Sequence, residues 1–174
     1  PRLPLIGKLD IGDAASGFID MIRNGLRAED AHQAIFIPFD FRLDHAYNIF
    51  DTEACCRQPL EHHRAFLTNF LSTVCMPLTG EPFEGMNQII DATVSTAYQM
   101  CSDETYSTHI KKYRAGDNPL VDVERTRQGL ETDEHTTWWD VADRFAARGD
   151  IRMARIATQH AVPIVQDLIA ATYQ

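Results

Sequence analysis

The sequence predicts an α/β start followed by an all-helical remainder, mainly helical overall. The start is a strand, a helix and a second strand, which together make a βαβ unit. Two observations predict this. On either side of residues 15–26, apolar residues alternate with a period of two, the spacing of side chains on one face of a strand. From residue 59 onward they recur instead at three- and four-residue steps, the spacing of one helix face. The expected division is therefore residues 1–58, the βαβ segment with its connecting loop, and residues 59–174, a helical subdomain.

The first strand is carried by Leu3, Leu5, Leu9 and Ile11, alternating with Pro4, Ile6, Lys8 and Asp10. It starts almost at residue 1, without an initiator Met or lead-in, so the chain reads as an excerpt from a longer protein. A helix follows over 15–26, capped by Ser16 or Asp13, with Ile19, Ile22 and Leu26 on its inner face. The second strand covers 34–41 and is apolar on both faces, as a buried parallel strand would be. Pro38 argues against a central place for its last part.

Residues 48–80 join the two halves. Within them a helix is predicted over 59–76, with Phe66, Leu67, Phe70, Leu71, Val74 and Cys75 forming one apolar stripe, in which Phe70 and Leu71 are expected to be buried. Pro59 suits a first helical position, Glu61 the first turn, and Pro77 and Gly80 end the helix. A second helix is predicted over 86–101, with Ile89, Ile90, Val94, Ala97, Tyr98 and Cys101 on its stripe. Residues 116–119 read as a loop, and a short helix is expected over 121–130. Thr137 and Asp140 fit a capping box that opens a helix running to about residue 148. Trp138, Val141, Ala142 and Phe145 share its inner face, whereas Trp139 continues to Asp143 and Ala146. Trp138 is thus the core candidate and Trp139 the candidate for a partner contact at the rim. Arg148-Gly149-Asp150 is a helix break, and helices over 151–159 and 162–173 complete the chain, with Pro163 in the first turn of the last.

The 174 residues are 44% hydrophobic, enough for a core, and carry a formal charge of −9. Acidic excess is spread over both halves and no basic block occurs, which disfavours direct contact with nucleic acid or an anionic membrane. The four cysteines lack the spacing of a disulfide framework and read as reduced thiols of a cytosolic protein. His45, His62, His63, Cys55 and Cys56 invite a zinc or a Cys–His reading, but no C-x2-C or H-x3-H pairing supports the metal. Ser16 lacks a nucleophile elbow. No G-x4-G-K-[ST] loop occurs, Gly7-Lys8 has no glycine loop before it, and no apolar strand ends in Asp-Glu. The chain by itself is therefore expected neither to bind nor to hydrolyse a nucleoside triphosphate.

Three stretches carry a resemblance: LPLIGKLDIGDAASGFIDMI, NIFDTEACCRQPLEHHRAFLTNFL and TTWWDVADRFAARGDIRMARIATQHAVPIVQDLI. In this order they resemble the large ATPases of conjugative transfer and type IV secretion, closest to the IcmB/DotO/TraU-like branch. The chain departs from the family pattern at Ile49, where that pattern has proline. The resemblance implies a parent protein that is a RecA-like P-loop NTPase, hexameric and cytoplasmic, at the inner-membrane face of a secretion or conjugation channel. This chain would be the piece between Walker A and Walker B, with ATP and Mg²⁺ bound by the parent. It implies that Asp10, Asn48 and Asp51 lie near the nucleotide, and that the helical half contacts other subunits or channel components. The alternative from another class is a non-enzymatic helical adaptor; a thiol- or metal-dependent enzyme is the third.

Overall fold

A computed structural model of the chain describes residues 6, 14–37, 47–78, 80–104 and 107–174. Among the described residues there are seven α-helices and one 3-10 turn, and no strand. The chain divides into two compact units, 1–47 and 48–174. The segment 48–58, expected to close the first part, belongs to the second unit.

In the first unit, α1 (Ala14–Gly25) matches the predicted helix to within a residue and is followed by the 3-10 turn Ala31–Gln33. Ile19, Ile22 and Leu26 are half-buried along it, while Phe18 and Met21 are exposed. Ser16 falls inside α1 rather than at its cap, and Asp13 lies outside the described residues. Arg23 ties the helix to the turn by donating from Nε to the carbonyl of Ala34 at 2.7 Å. The expected βαβ unit is overturned by the absence of any strand among the described residues. The first predicted strand lies outside them apart from Ile6. Of the second, residues 38–41 also lie outside them; Ala34 has extended dihedrals, but 34–37 form no ladder with any described residue, and Ile35, Phe36 and Ile37 are exposed. Alternation makes a segment fit for an extended conformation; a strand also needs a ladder partner.

In the second unit, α2 (Glu61–Val74) packs on α3 (Met86–Cys101), and α3 packs on α7 (Val165–Ala171). α5 (Trp138–Ala147) packs on α6 (Ile151–Ala161), which also meets α4 (Pro119–Arg127). The bounds of α3 are those the sequence predicts, and the capping box of α5 is present, with Thr137 accepting from Asp140 N and Asp140 accepting from Thr137 N. α4 begins two residues earlier than expected because Asn118 caps it and Pro119 occupies its first turn. Pro163 precedes α7 rather than opening it. An antiparallel bridge, Lys112 to Thr137, fastens the approach to α4 against the start of α5. The core of this unit gathers Phe50, Leu67, Val94, Tyr98, Val121, Trp138, Trp139 and Phe145.

Candidate functional site

The segment 48–58 has no regular secondary structure, yet its polar groups are met by partners far away in sequence. The Asn48 side chain donates from Nδ2 to the carbonyl of Pro163 at 2.8 Å and accepts from Phe50 N at 3.3 Å. Phe50 is fully buried edge-on to Tyr98, whose hydroxyl donates to the Phe50 carbonyl at 2.6 Å. Thr52 Oγ1 donates to the Cys56 carbonyl at 2.6 Å and closes the turn. Among the described residues Cys55 is the one non-glycine with a positive φ, 61°, a conformation that costs about 1 kcal/mol or more for an L side chain. Two bonds hold it there: its N–H donates to Thr158 Oγ1 of α6 at 2.9 Å, and its carbonyl accepts from Arg57 Nη1 at 3.0 Å.

Arg57 is the hub. Its guanidinium forms a fork on Asp103 at 2.9 and 2.7 Å and another on Asp143 at 2.9 and 2.6 Å. It also lies 4.6 Å from the ring centroid of Trp139. Donating to Asp103 and Asp143 drives the guanidinium pKa up, and in return Arg57 holds the Asp103 carboxyl below its ordinary value. Beneath this plate Trp139 is only 1% exposed, and its indole N–H donates to the Cys101 carbonyl at 2.8 Å. The expectation that Trp139 sits at a rim open to a partner is therefore corrected. The face it shares with Asp143 is mixed in composition because Arg57 covers it, not because it is open to solvent.

The Cys55 thiol is not activated. Burial and the neighbouring Asp143 push the Cys55 thiol up to about 11, the reverse of what activates a thiolate. His63 donates from Nε2 to the Ile49 carbonyl at 2.9 Å and stacks on Phe66. Cys56, His62, His63, Phe66, Asp51 and Arg155 line a pocket of about 300 Å³. Asp51 Oδ1 is buried there without a hydrogen-bond partner, and burial raises the carboxyl pKa against the opposing pull of Asn48, Gln159 and Arg155. Among the described residues no group of three or more His, Cys, Asp or Glu is placed to hold a metal, and His45 lies outside them. Of the three residues the resemblance puts near nucleotide, Asn48 and Asp51 stand together at this interlock and Asp10 lies outside the described residues. A larger hollow of about 640 Å³ lies beside Arg144 and Arg148, whose guanidinium groups donate to the carbonyls of Glu131 and Gln128.

The helix α2 presents a different surface. Its inner side is fixed on α3 by a fork from Arg64 to Asp91, 2.6 Å in both arms, and by Ser72 donating to Asn87 at 2.7 Å. Leu67 and Leu71 are buried on that side. Phe66, Phe70 and Val74 are not: they are 50%, 41% and 64% exposed. Of the two stripe residues expected to be buried, Leu71 is and Phe70 is not, so the stripe is only half covered. At 100° per residue the apolar arc from Phe66 to Leu71 is about 140° wide, more than one neighbouring helix can cover. Phe66 and Phe70 stack at 5.8 Å, and Met76, Leu78 and Phe83, beyond the helix, are exposed as well. Nothing in the amphipathic period could have told the covered half from the open one.

No family model, characterised protein or solved structure matches the chain. No helix among the described residues is long and apolar enough to cross a membrane.

Proposed function

We propose that the chain is a contact module and not itself a catalyst. In this reading it is the helical part of a conjugative-transfer or type IV secretion ATPase, at the cytoplasmic, inner-membrane face of the channel. The parent protein holds ATP and Mg²⁺ elsewhere. The observation that carries it is the α2 face, where Phe66, Phe70 and Val74 stand exposed in one row. A contiguous apolar surface of this kind marks an interaction site, and its occupant is a neighbouring copy of the same protein. The meeting of two resemblance-bearing stretches supports the assignment to the ATPase. Residues of 48–71 and 136–169, far apart in sequence, are joined through Asn48 to Pro163, Cys55 to Thr158 and Arg57 to Asp143. Those motifs then record a folding requirement of a helical subdomain.

Light scattering over a range of concentrations tests the contact. The expected result is concentration-dependent self-association that the Phe66→Glu/Phe70→Glu double variant abolishes without altering its melting temperature. A chain that stays monomeric at every concentration, with or without the substitutions, overturns it. The lack of any strand among the described residues favours a second reading, a non-enzymatic helical adaptor. The encoded residues on either side distinguish the two: a P-loop upstream and an Asp-Glu strand downstream mark the ATPase.

A further inference from the structure

α4 is capped by Asn118, whose Oδ1 accepts from the N–H of Leu120 at 3.1 Å and of Val121 at 3.2 Å. With the oxygen committed to the cap, the amide nitrogen faces His160 Nε2 on α6, 3.0 Å away. An amide nitrogen only donates, so Nε2 presents its lone pair and the ring proton is on Nδ1. The ring lies flat on Trp138 of α5, with centroids 4.3 Å apart and planes 17° from parallel. Burial is the largest influence on this imidazole and disfavours its charged form. Asp117, in the loop before α4, and Asp51, in the segment 48–58, favour the charge; Lys111 opposes it. The net effect holds His160 below its ordinary 6.5.

We propose that the Asn118–His160 hydrogen bond is an acid-sensitive latch that holds α4 on α6. Adding a proton to Nε2 sets one N–H donor against another and removes the bond. The sign follows from the direction of the shift. A histidine depressed in the folded state contributes stability that is complete above the unfolded value near 6.5 and is lost as pH falls through the lower folded value. α4 is the element at risk because it carries Val121 into the core and places Asp122 against the Tyr113 hydroxyl and the Gly116 amide. Its release uncovers the apolar side of Val121 and the Tyr113 ring, which stands edge-on to Trp138 at 5.0 Å. In acid the chain therefore gains an apolar surface that it lacks at neutral pH. This device is independent of the α2 face and survives the loss of that proposal.

Amide hydrogen exchange of the whole chain, corrected for intrinsic exchange rates, tests the latch at about pH 7.5 and about pH 5. The expected result is a fall in protection across α4 of about fivefold, the size of one neutral hydrogen bond, with α3 unchanged. His160→Gln supplies an acceptor that does not titrate, so the pH difference across α4 disappears. Asn118→Asp keeps a capping oxygen and offers a carboxylate to the imidazolium, so α4 becomes better protected in acid and the sign inverts. Equal loss of α4 protection in wild type and His160→Gln overturns the proposal, as does an unchanged α4 in wild type. Should either variant fold poorly, the wild-type titration of the His160 C2 proton by NMR decides. A latch requires the α4 amides to shift with the same midpoint, and a different midpoint overturns it.

Discussion

The segment 48–58 and the helix α2 that follows it are adjacent in sequence and opposite in construction. The segment has no repeating hydrogen bonds, but Asn48, Phe50, Cys55 and Arg57 each reach a partner far away in sequence. α2 satisfies its own backbone and leaves half of its apolar arc uncovered. Periodicity is a property of an element alone, whereas burial depends on what packs against it. In this chain the irregular segment acts as the keystone of the second unit, and the strongest apolar stripe acts partly as a surface.

Substitution at the covered end of the keystone should produce the largest effect. Trp139→Ala removes a fully buried ring, its bond to Cys101 and the plate under Arg57, and should cost about 3–5 kcal/mol in urea unfolding. A loss under about 1 kcal/mol would return Trp139 to the rim. The comparison sharpens on α2 itself. Leu67→Ala should cost about 2–5 kcal/mol and Phe70→Ala less than about 1 kcal/mol; equal losses would mean that the stripe is buried throughout.

Arg57→Met should cost about 1 kcal/mol, because it removes two forked pairs whose carboxylates stand open to solvent. It should also change the acid limb. Asp103 is held below its ordinary 3.8, first by hydrogen bonds from Arg57 and against the opposing effect of burial. Its contribution is therefore present above that ordinary value and is lost as pH falls below it. Stability measured from about pH 6 down to about pH 2.5 should decline less steeply in Arg57→Met than in wild type. Parallel curves would remove Arg57 from the account. The smallest effect concerns the thiols. Cys75 is exposed, Cys55 is half-buried with its pKa raised from 9.0 to about 11, and Cys101 is buried. Alkylation followed by mass spectrometry should label Cys75 first, Cys55 much later and Cys101 last; early labelling of Cys55 would show the keystone to be loose.

Much of the second unit was legible in the sequence because its signals are local. The box of Thr137 and Asp140 and the three- and four-residue steps over 86–101 specify α5 and α3 without reference to anything else. Asn118-Pro119 carries an equally local signal, an N-cap followed by proline, in a stretch whose Gly116-Asp117 also reads as a loop. The keystone was not legible, since its partners Pro163, Thr158 and Asp143 lie 115, 103 and 86 residues away. The covering of Trp139 likewise depended on Arg57, which no helical wheel of α5 contains. The βαβ expectation failed at residues 34–37 for a related reason: alternation is local, and pairing is not.

Native-state hydrogen exchange at the Cys55 amide tests the keystone most directly. This amide belongs to a loop and its acceptor is Thr158 on α6. If segment 48–58 holds the second unit together, the amide opens only when the unit unfolds, and its exchange free energy equals that of the α6 core amides. Exchange tenfold or more faster than α6, corresponding to about 1.4 kcal/mol of local opening, would contradict the account and leave the segment an ordinary surface loop.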